Sequence, residues 1–267
     1  MNRAFACLVF ALVPASVFAA AAPNDEKTSP LKERGVLRVI RPDARDDDEF
    51  FGSGSGKAGF DREILDGFAR LHGLKLELVT VPTWAELIPT LLERKGDMAA
   101  GRFTITPARL ERVAFTDEVF PTRHVVVTRK PKPSILTRDE LRAAKVGTVK
   151  GSAVEEAVLA AGVGRAQIVH VPAGTGLGAL KEGRASAQVT NVELALRDME
   201  QDADLQLGMF LGPPRSLAYA LRKDDTVLLA ELNAYLERIR KSGGWNRLVV
   251  KYFGERGLEI LKTVRQQ

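Results

Sequence analysis

From residue 36 onward, the sequence alternates between the two hydrophobic periods of regular secondary structure. Residues 36–40 are apolar at almost every position and predict a strand. Residues 60–72 carry apolar side chains at helical spacing and end at Gly73, a residue that suits a helix C-cap. Residues 74–81 return to a period of two and predict the next strand. The chain therefore opens with a strand–helix–strand unit.

The alternation continues to the end of the chain. Further strands are predicted over residues 97–100, 124–128, 146–149, 167–171, 187–190 and 217–221. Further helices are predicted from Thr83 to 95, after Thr106 and Pro107, and over residues 138–143, 153–161, 177–181, 192–199, 225–241 and 244–253. This order predicts an α/β protein with mostly parallel sheets. Two similar series, separated by Pro131 and Pro133, suggest two lobes.

The amino terminus predicts export. One arginine, Arg3, precedes an apolar run over residues 4–13, and small residues follow around Ala19. This pattern is typical of a cleavable secretory signal peptide, assigned here to residues 1–20. The run is shorter than the ~20 residues that a spanning helix needs. The only cysteine, Cys7, would leave with the signal, so neither a disulfide nor thiol chemistry is expected. Residues 23–34 are polar and are predicted to form a flexible lead-in.

Composition and charge limit the classes of partner and cofactor that are expected for this protein. Hydrophobic residues make up 45% and charged residues 27%, which is ordinary for a globular protein. Lysine and arginine exceed aspartate and glutamate by 39 − 34 = 5, with acids interleaved among the bases. No basic face with stacking aromatics emerges, so a nucleic-acid partner is not expected. His72, His124 and His170 lack the spacing of metal ligands. Neither a metal nor any other cofactor is expected.

The most informative stretch is residues 96–109, GDMAAGRFTITPAR. A short strand ends in a loop at Gly101, and Arg109 follows on the first turn of the next predicted helix. A guanidinium presents a planar fork to a carboxylate, and Thr104 with loop N–H groups can complete its shell. The helix N-terminus also favours an anion. The stretch indicates a carboxylate-binding clamp; the alternative is that Arg109 is an ordinary exposed helix residue.

Other motifs accompany this clamp between residues 35 and 254. They are Gly59-Phe60-Asp61, Trp84 with Leu87-Ile88-Pro89, Val146-Gly147, Lys150-Gly151-Ser152, Gly183-Arg184 and Lys251-Tyr252-Phe253-Gly254. With them, the sequence resembles the extracellular solute-binding proteins of family 3, the receptors of polar amino-acid ABC importers. It is also similar to the sensor region of membrane-bound lytic murein transglycosylase F. The catalytic domain of that enzyme is not expected in a chain that stops at Gln267.

The resemblance implies a type II periplasmic-binding-protein fold, with two lobes that close on a ligand by hinge motion. Lobe one would comprise residues 35–126 plus 222–267, and lobe two residues 127–221. Crossing strands would lie near residues 125–128 and 218–221. Carried over by position, the ligand site would contain Trp84 as an aromatic wall, Gly101 and Arg102 in the clamp loop, Thr104 and Arg109 on the carboxylate, and Gly151, Ser152 and Asn191 from lobe two.

Two departures from the family pattern affect the expected ligand. Asn191 stands where the family commonly has an aspartate that pairs with the ligand ammonium, and an amide supplies no countercharge. Glu193 and Asp198 lie along the following helix and are expected to point less directly at the cleft. A preference for anionic or N-blocked ligands follows. After the first strand, the acidic run over residues 46–49 replaces an aromatic and predicts a solvated loop, with Phe50 or Phe51 folding back as a lid.

These features predict a monomeric periplasmic binding protein. It would capture a small carboxylate-bearing ligand, an amino acid or a relative, and deliver it to an inner-membrane ABC permease. One alternative is a non-catalytic sensor of cell-wall fragments. Another is an enzyme similar to cyclohexadienyl dehydratase, which needs an acid or base in the cleft. Asp61 and Glu63 look structural at the start of their helix, so no catalytic residue is assigned.

Overall fold

The computed structural model describes residues 30–43, 48–52, 58–150, 152–172 and 177–265. The predicted signal peptide, residues 1–20, lies outside these ranges. The described chain forms two five-stranded sheets with helices packed on them. The predicted α/β class, with two sheets of similar construction, is therefore confirmed.

The strands and helices follow the predicted alternation. The strands are β1 (Val36–Pro42), β2 (Lys75–Val81), β3 (Met98–Ala99), β4 (Ala114–Phe115), β5 (Phe120–Arg129), β6 (Val146–Val149), β7 (Ile168–Val171), β8 (Ala187–Asn191), β9 (Leu205–Leu217) and β10 (Ala220–Leu221). The α-helices are α1 (Pro30–Arg34), α2 (Asp48–Phe51), α3 (Phe60–Leu71), α4 (Leu87–Leu92), α5 (Pro107–Leu110), α6 (Arg138–Ala143), α7 (Ala153–Ala160), α8 (Gly178–Lys181), α9 (Val192–Gln201), α10 (Thr226–Lys241) and α11 (Gly244–Thr263).

The two sheets share one design. The first has the order β2-β1-β3-β10-β4, in which β1 is parallel to β2 and β3 while β10 is antiparallel to β3 and β4. The second has the order β7-β6-β8-β5-β9, in which β6 is parallel to β7 and β8 while β5 is antiparallel to β8 and β9. In each sheet, three parallel strands are followed by one antiparallel strand, and an edge strand pairs antiparallel with that one. The carboxyl ends of β3 and β8 therefore lead directly into the segments that carry the candidate site.

The chain passes between the sheets twice, and the two passages are hydrogen-bonded to each other. The Val119 N–H donates to the Leu217 carbonyl at 2.8 Å, and the Thr116 N–H donates to the Tyr219 carbonyl at 2.9 Å. The first crossing was predicted too far along the chain, because residues 125–128 pair with β8 and β9 inside the second sheet. The apolar run in β5 reflects burial within that sheet. The predicted lobe boundaries stay a prediction.

A cluster of aromatic side chains packs around Phe120, directly after the first passage. The Phe120 ring centroid lies 5.0 Å from that of Phe253 and 5.4 Å from that of Phe60. Phe50 joins the cluster at 5.9 Å from Phe60. The Trp245 indole N–H donates to the carbonyl of Val119 at 2.7 Å, which ties α11 to the first passage.

The prediction of a phenylalanine lid was wrong. Phe50 and Phe51 are 2% and 3% exposed and belong to the core. Burying a phenylalanine contributes roughly 1.5–3 kcal/mol to the free energy of folding. This gain favours burial of both side chains in the core, and the short helix α2 carries them there. The lead-in prediction was also wrong at its end, since α1 is helical and buries Leu31.

The strand β9 was largely missed by the sequence analysis, which predicted only its last residue. Gly208, Gly212, Pro213 and Pro214 interrupt the hydrophobic pattern of this segment. Proline cannot donate to a ladder but is tolerated on an edge strand. β9 is the edge strand of the second sheet, and its register against β5 shifts at two points. Local propensity therefore predicts a loop over this segment, although the structure uses it as an edge strand.

Candidate ligand-binding cleft

A cleft of ≈ 440 Å³ lies between the segments that follow β3 and those that follow β6 and β8. It brings together most of the predicted site residues, although they come from separate parts of the chain. Its described lining is Trp84, Arg102, Thr104, Arg109, Val149, Ser152, Ala153, Val154, Val171, Pro172, Gln188, Val189, Thr190, Asn191, Leu194, Arg197 and Asp198. The predicted site residue Gly151 lies outside the described residues. The ligand-binding role of all these residues stays a prediction.

Arg109 is held at the cleft wall by its own loop. Thr106 caps α5 by accepting a hydrogen bond from the Arg109 N–H at 3.4 Å. The guanidinium Nη1 donates to the Thr104 carbonyl at 2.6 Å, and its carbon lies 4.1 Å from the centroid of the Phe103 ring. Burial lowers the pKa of Arg109, yet a guanidinium stays protonated in proteins. Within the described chain, Arg109 has no carboxylate partner, so a fixed cation faces the cleft.

Gly101 and Arg102 form the turn that leads to this loop. Gly101 has φ 95°, and a side-chain Cβ there would lie 3.1 Å from the Phe51 ring. Gly101 is buried and does not line the cleft, so its contribution is to the backbone path. Arg102 has φ 52° and places its guanidinium carbon 5.7 Å from the centroid of the Trp84 ring. A second cation therefore lies against the predicted aromatic wall.

Ser152 acts on the opposite wall as a helix cap. Its Oγ accepts from the Glu155 N–H at 3.2 Å and donates to the Val149 carbonyl at 2.7 Å. The hydroxyl hydrogen is therefore already engaged. Ser152, Ala153 and Val154 all line the cleft, so α7 begins there. The positive end of a helix dipole favours an anion at that position.

Asn191 is oriented by a histidine on the neighbouring strand. The Asn191 Oδ1 lies 2.8 Å from Nδ1 of His124. An amide oxygen only accepts, so Nδ1 must carry the proton. Burial is the largest cause of the lowered pKa of His124, and Arg215 adds to the shift. His124 is therefore neutral near pH 7, and it uses one of the two lone pairs of the oxygen with which Asn191 could meet an ammonium.

Asp198, which was expected to point less directly at the cleft, is one of its lining residues. Asp198 lines it, because Leu194 and Asp198 are four residues apart on α9 and share one helix face. Its Oδ1 accepts from Arg197 at 2.8 Å and 2.7 Å. The carboxylate is thus neutralised by its neighbour. The spacing from Asn191 along α9 is the sequence signal that identifies this face.

Glu193 is buried beside the cleft and does not line it. It is 1% exposed, and the Thr122 hydroxyl donates to its Oε2 at 2.5 Å. Burial is the largest influence on the carboxyl and raises its pKa, while the charge of Arg102 acts in the opposite direction. Glu193 is therefore a poor source of countercharge for a ligand.

Replacing Glu193 with glutamine is expected to change how stability depends on pH. Glutamate ionises in the unfolded chain above about pH 4.3, whereas folded Glu193, whose pKa is raised by burial, ionises only at a higher pH. Wild-type stability therefore falls as pH rises from the unfolded pKa to the folded one. Glutamine removes this loss. Urea unfolding at pH 4 and pH 7.5 should show the variant gaining relative to wild type at the higher pH. Glu156→Gln on the exposed face of α7 is the control, and equal pH profiles for wild type and Glu193→Gln would contradict the assignment.

The two other carboxylates weighed in the sequence are tied into structural contacts. Asp61 accepts from the Tyr219 hydroxyl at 3.1 Å and is 2% exposed. Glu63 pairs with Lys251 at 2.6 Å and accepts from the Tyr252 hydroxyl at 2.7 Å. Neither lines the cleft. Among the described lining residues, three guanidinium groups face one carboxylate, and the cleft is net positive.

None of the helices in the described ranges combines the length and the apolar character that crossing a membrane requires.

A Haemophilus influenzae protein named "Probable amino-acid ABC transporter-binding protein" is 28% identical over 75% of this chain and 78% of its own length. Membrane-bound lytic murein transglycosylase F of Pseudomonas fluorescens is 27% identical over 86% of this chain, which spans only 49% of that relative's length.

Among solved structures, the arginine-bound form of truncated ArgBP from T. maritima is 30% identical, with a TM-score of 0.62 over 78% of this chain and 98% of that one. The sequence profile described as "Bacterial extracellular solute-binding proteins, family 3" matches residues 48–255. This range contains both sheets from β2 onward and every described residue of the cleft. The chain belongs to the bacterial extracellular solute-binding proteins of family 3.

Proposed function

We propose that this chain is a monomeric periplasmic receptor that binds a small carboxylate-bearing ligand, an amino acid or a relative, and delivers it to an inner-membrane ABC permease. The observation that carries the proposal is Arg109, a half-buried guanidinium at the cleft wall with no carboxylate partner in the described chain. The family supports a ligand-binding role, and the H. influenzae relative is a transporter-binding protein by name.

The clamp would hold the ligand carboxylate from two sides. Arg109 uses one nitrogen for the Thr104 carbonyl, and a guanidinium has five N–H donors in a planar fork. The N-terminus of α7 begins across the cleft at Ser152. A carboxylate between them would gain a charge-assisted pair and a favourable helix dipole.

The opposite end of the site argues for an anionic or N-blocked ligand. Burying an ammonium without a partner is costly. The Asn191 oxygen already accepts from His124, and Asp198 is paired with Arg197. A free basic amino acid would therefore find less countercharge here than in a site that has an aspartate at the Asn191 position.

Binding by hinge closure would use the two passages between the sheets as the hinge. On this proposal, the lobes lie on either side of residues 116–119 and 217–219, and each carries one sheet. The cleft residues come from both sides of these passages. Closure would bring the Arg109 wall and the α7 wall together over the ligand.

A thermal-shift screen tests the proposed function. Amino acids, dicarboxylates, N-acylated amino acids and muropeptides are added to the purified protein at about 100 times a working Kd. Saturation at that level adds about 2.7 kcal/mol, or a rise in Tm of about 5–10 °C. At least one carboxylate should give this rise in wild type and not in Arg109→Ala. The proposal fails if no carboxylate shifts the transition, or if Arg109→Ala responds equally.

A sensor of cell-wall fragments is the second candidate. The observation in its favour is the similarity to murein transglycosylase F over 86% of this chain. The muropeptide arm of the same screen separates the two candidates by ligand. A rise in Tm with muropeptides alone would favour sensing over amino-acid delivery.

A further inference from the structure

A second chamber of ≈ 230 Å³ adjoins the cleft. The two spaces share Thr104, Ser152, Ala153, Val154 and Asn191 as lining residues, so they meet where the clamp loop faces the start of α7. The remaining described walls come mostly from β5 and β9 and include Thr122, Arg123, His124, Gly212, Pro213 and Arg215. A ligand whose carboxylate sits on Arg109 therefore has room to extend into the chamber as well as towards Trp84.

His124 lines this chamber and carries a buried acceptor that has no partner in the described chain. The residue is 8% exposed, and its Nε2 is buried with no hydrogen-bond partner. Because Nδ1 carries the proton that is donated to Asn191, the Nε2 of the neutral ring holds a lone pair. A buried polar atom that is left without a hydrogen-bond partner destabilises the fold. An N–H or O–H group of a ligand would supply that partner.

Arg215 presents a cation to the same space. It is exposed and lines the chamber, and its guanidinium forms no hydrogen bond or ion pair with any described residue. Arg123 differs, because its guanidinium donates to the carbonyls of Gly212 at 2.7 Å and Val264 at 3.3 Å. Arg123 therefore supports the backbone, whereas Arg215 is available to an anion.

We propose that the second chamber holds the far end of an elongated ligand, which pairs a second anionic group with Arg215 and donates an amide N–H or a hydroxyl hydrogen bond to Nε2 of His124. This inference rests on the proposed function, because it places the first carboxylate on Arg109. The ligand class is an N-acylated amino acid or short peptide with two carboxylates separated by an N–H group. Arg109 and Arg215 would then bind the two carboxylates, and His124 would accept a hydrogen bond from the N–H group between them.

A matched pair of ligands tests the proposal. N-succinyl-L-alanine and N-butyryl-L-alanine have the same backbone, but only the first carries a terminal carboxylate. Wild type should bind the succinyl compound about tenfold more tightly or better, as expected for one charge-assisted pair. Arg215→Ala should remove this preference and leave butyryl binding within about twofold. Arg256→Ala, an exposed arginine on α11 outside both chambers, should behave as wild type.

The two proposals fail in different ways. Equal binding of both ligands by wild type, or a preference retained in Arg215→Ala, would overturn the second anionic contact and leave the clamp intact. Weak binding of both ligands by wild type would overturn the elongated ligand class. A carboxylate ligand that binds Arg109→Ala as tightly as wild type would overturn the proposed function with it. For the N–H contact, methylation of the amide nitrogen should weaken binding to wild type about tenfold and make no difference to His124→Phe, checked for folding by circular dichroism. An equal methylation penalty in both proteins would exclude His124 as the acceptor.

Discussion

Replacing Arg109 with alanine is expected to lower the affinity for the tightest-binding carboxylate ligand by more than about 30-fold. The substitution removes a charge-assisted pair and leaves the ligand carboxylate buried opposite a neutral side chain. The corresponding free-energy loss is ~2–5 kcal/mol, and each 1.4 kcal/mol is tenfold in Kd. Arg109→Lys should also bind poorly, because a point charge cannot reproduce the planar fork. Calorimetric titration of the three proteins measures both effects.

The control must separate binding from folding. Arg109 also contacts the Thr104 carbonyl and the Phe103 ring, so the Tm of each variant is recorded first. Arg112→Ala removes the same charge from an exposed position that lies outside the cleft, and it should bind as wild type. Unchanged affinity in a folded Arg109→Ala protein would show that another residue holds the carboxylate.

Changing Asn191 to aspartate should raise the affinity for free amino acids by roughly 1–3 kcal/mol. An aspartate at this position would still accept the hydrogen bond from His124 Nδ1, and it would add the countercharge that an amide lacks. L-Glutamine, which has a free ammonium, should gain affinity, whereas N-acetyl-L-glutamine should not. Titration of both ligands into both proteins gives the difference directly.

Asn246→Asp is the matched control for this experiment. It makes the same chemical change at an exposed position on α11, outside the cleft. It should leave both affinities unchanged. If Asn191→Asp fails to separate L-glutamine from its acetylated form, the ammonium of a bound amino acid does not sit at this position.

Much of the fold could be predicted because its signals are local. The helices predicted after Thr106 and over residues 138–143 and 153–161 are all formed. Thr106, Thr137 and Ser152 cap them, and each accepts a hydrogen bond from a backbone N–H in the first turn of its helix. The predicted stop at Gly254 coincides with a break in α11, where φ is 72°. Conversely, α2 was missed because its one turn is stabilised by distant aromatic contacts of Phe50.

The site was less predictable because its electrostatics depend on strand register and helix direction. Asn191 lies opposite His124 only through the pairing of β5 with β8, 67 residues apart. Asp198 enters the cleft because α9 runs along the wall after Asn191. The strand pairing is non-local, and the spacing along α9 identifies a helix face but not its position against the cleft. The sequence therefore identified the clamp and not the groups around Asn191.

The preference for acidic over basic ligands is the central claim, and calorimetry on the unmodified protein tests it most directly. L-Arginine and N-acetyl-L-glutamate are titrated separately, and then L-arginine in the presence of excess N-acetyl-L-glutamate. We predict that the acidic ligand binds about tenfold more tightly or better and blocks any arginine binding. Tight binding of L-arginine, undiminished by the acid, would contradict the account and show that another carboxylate serves the ligand ammonium.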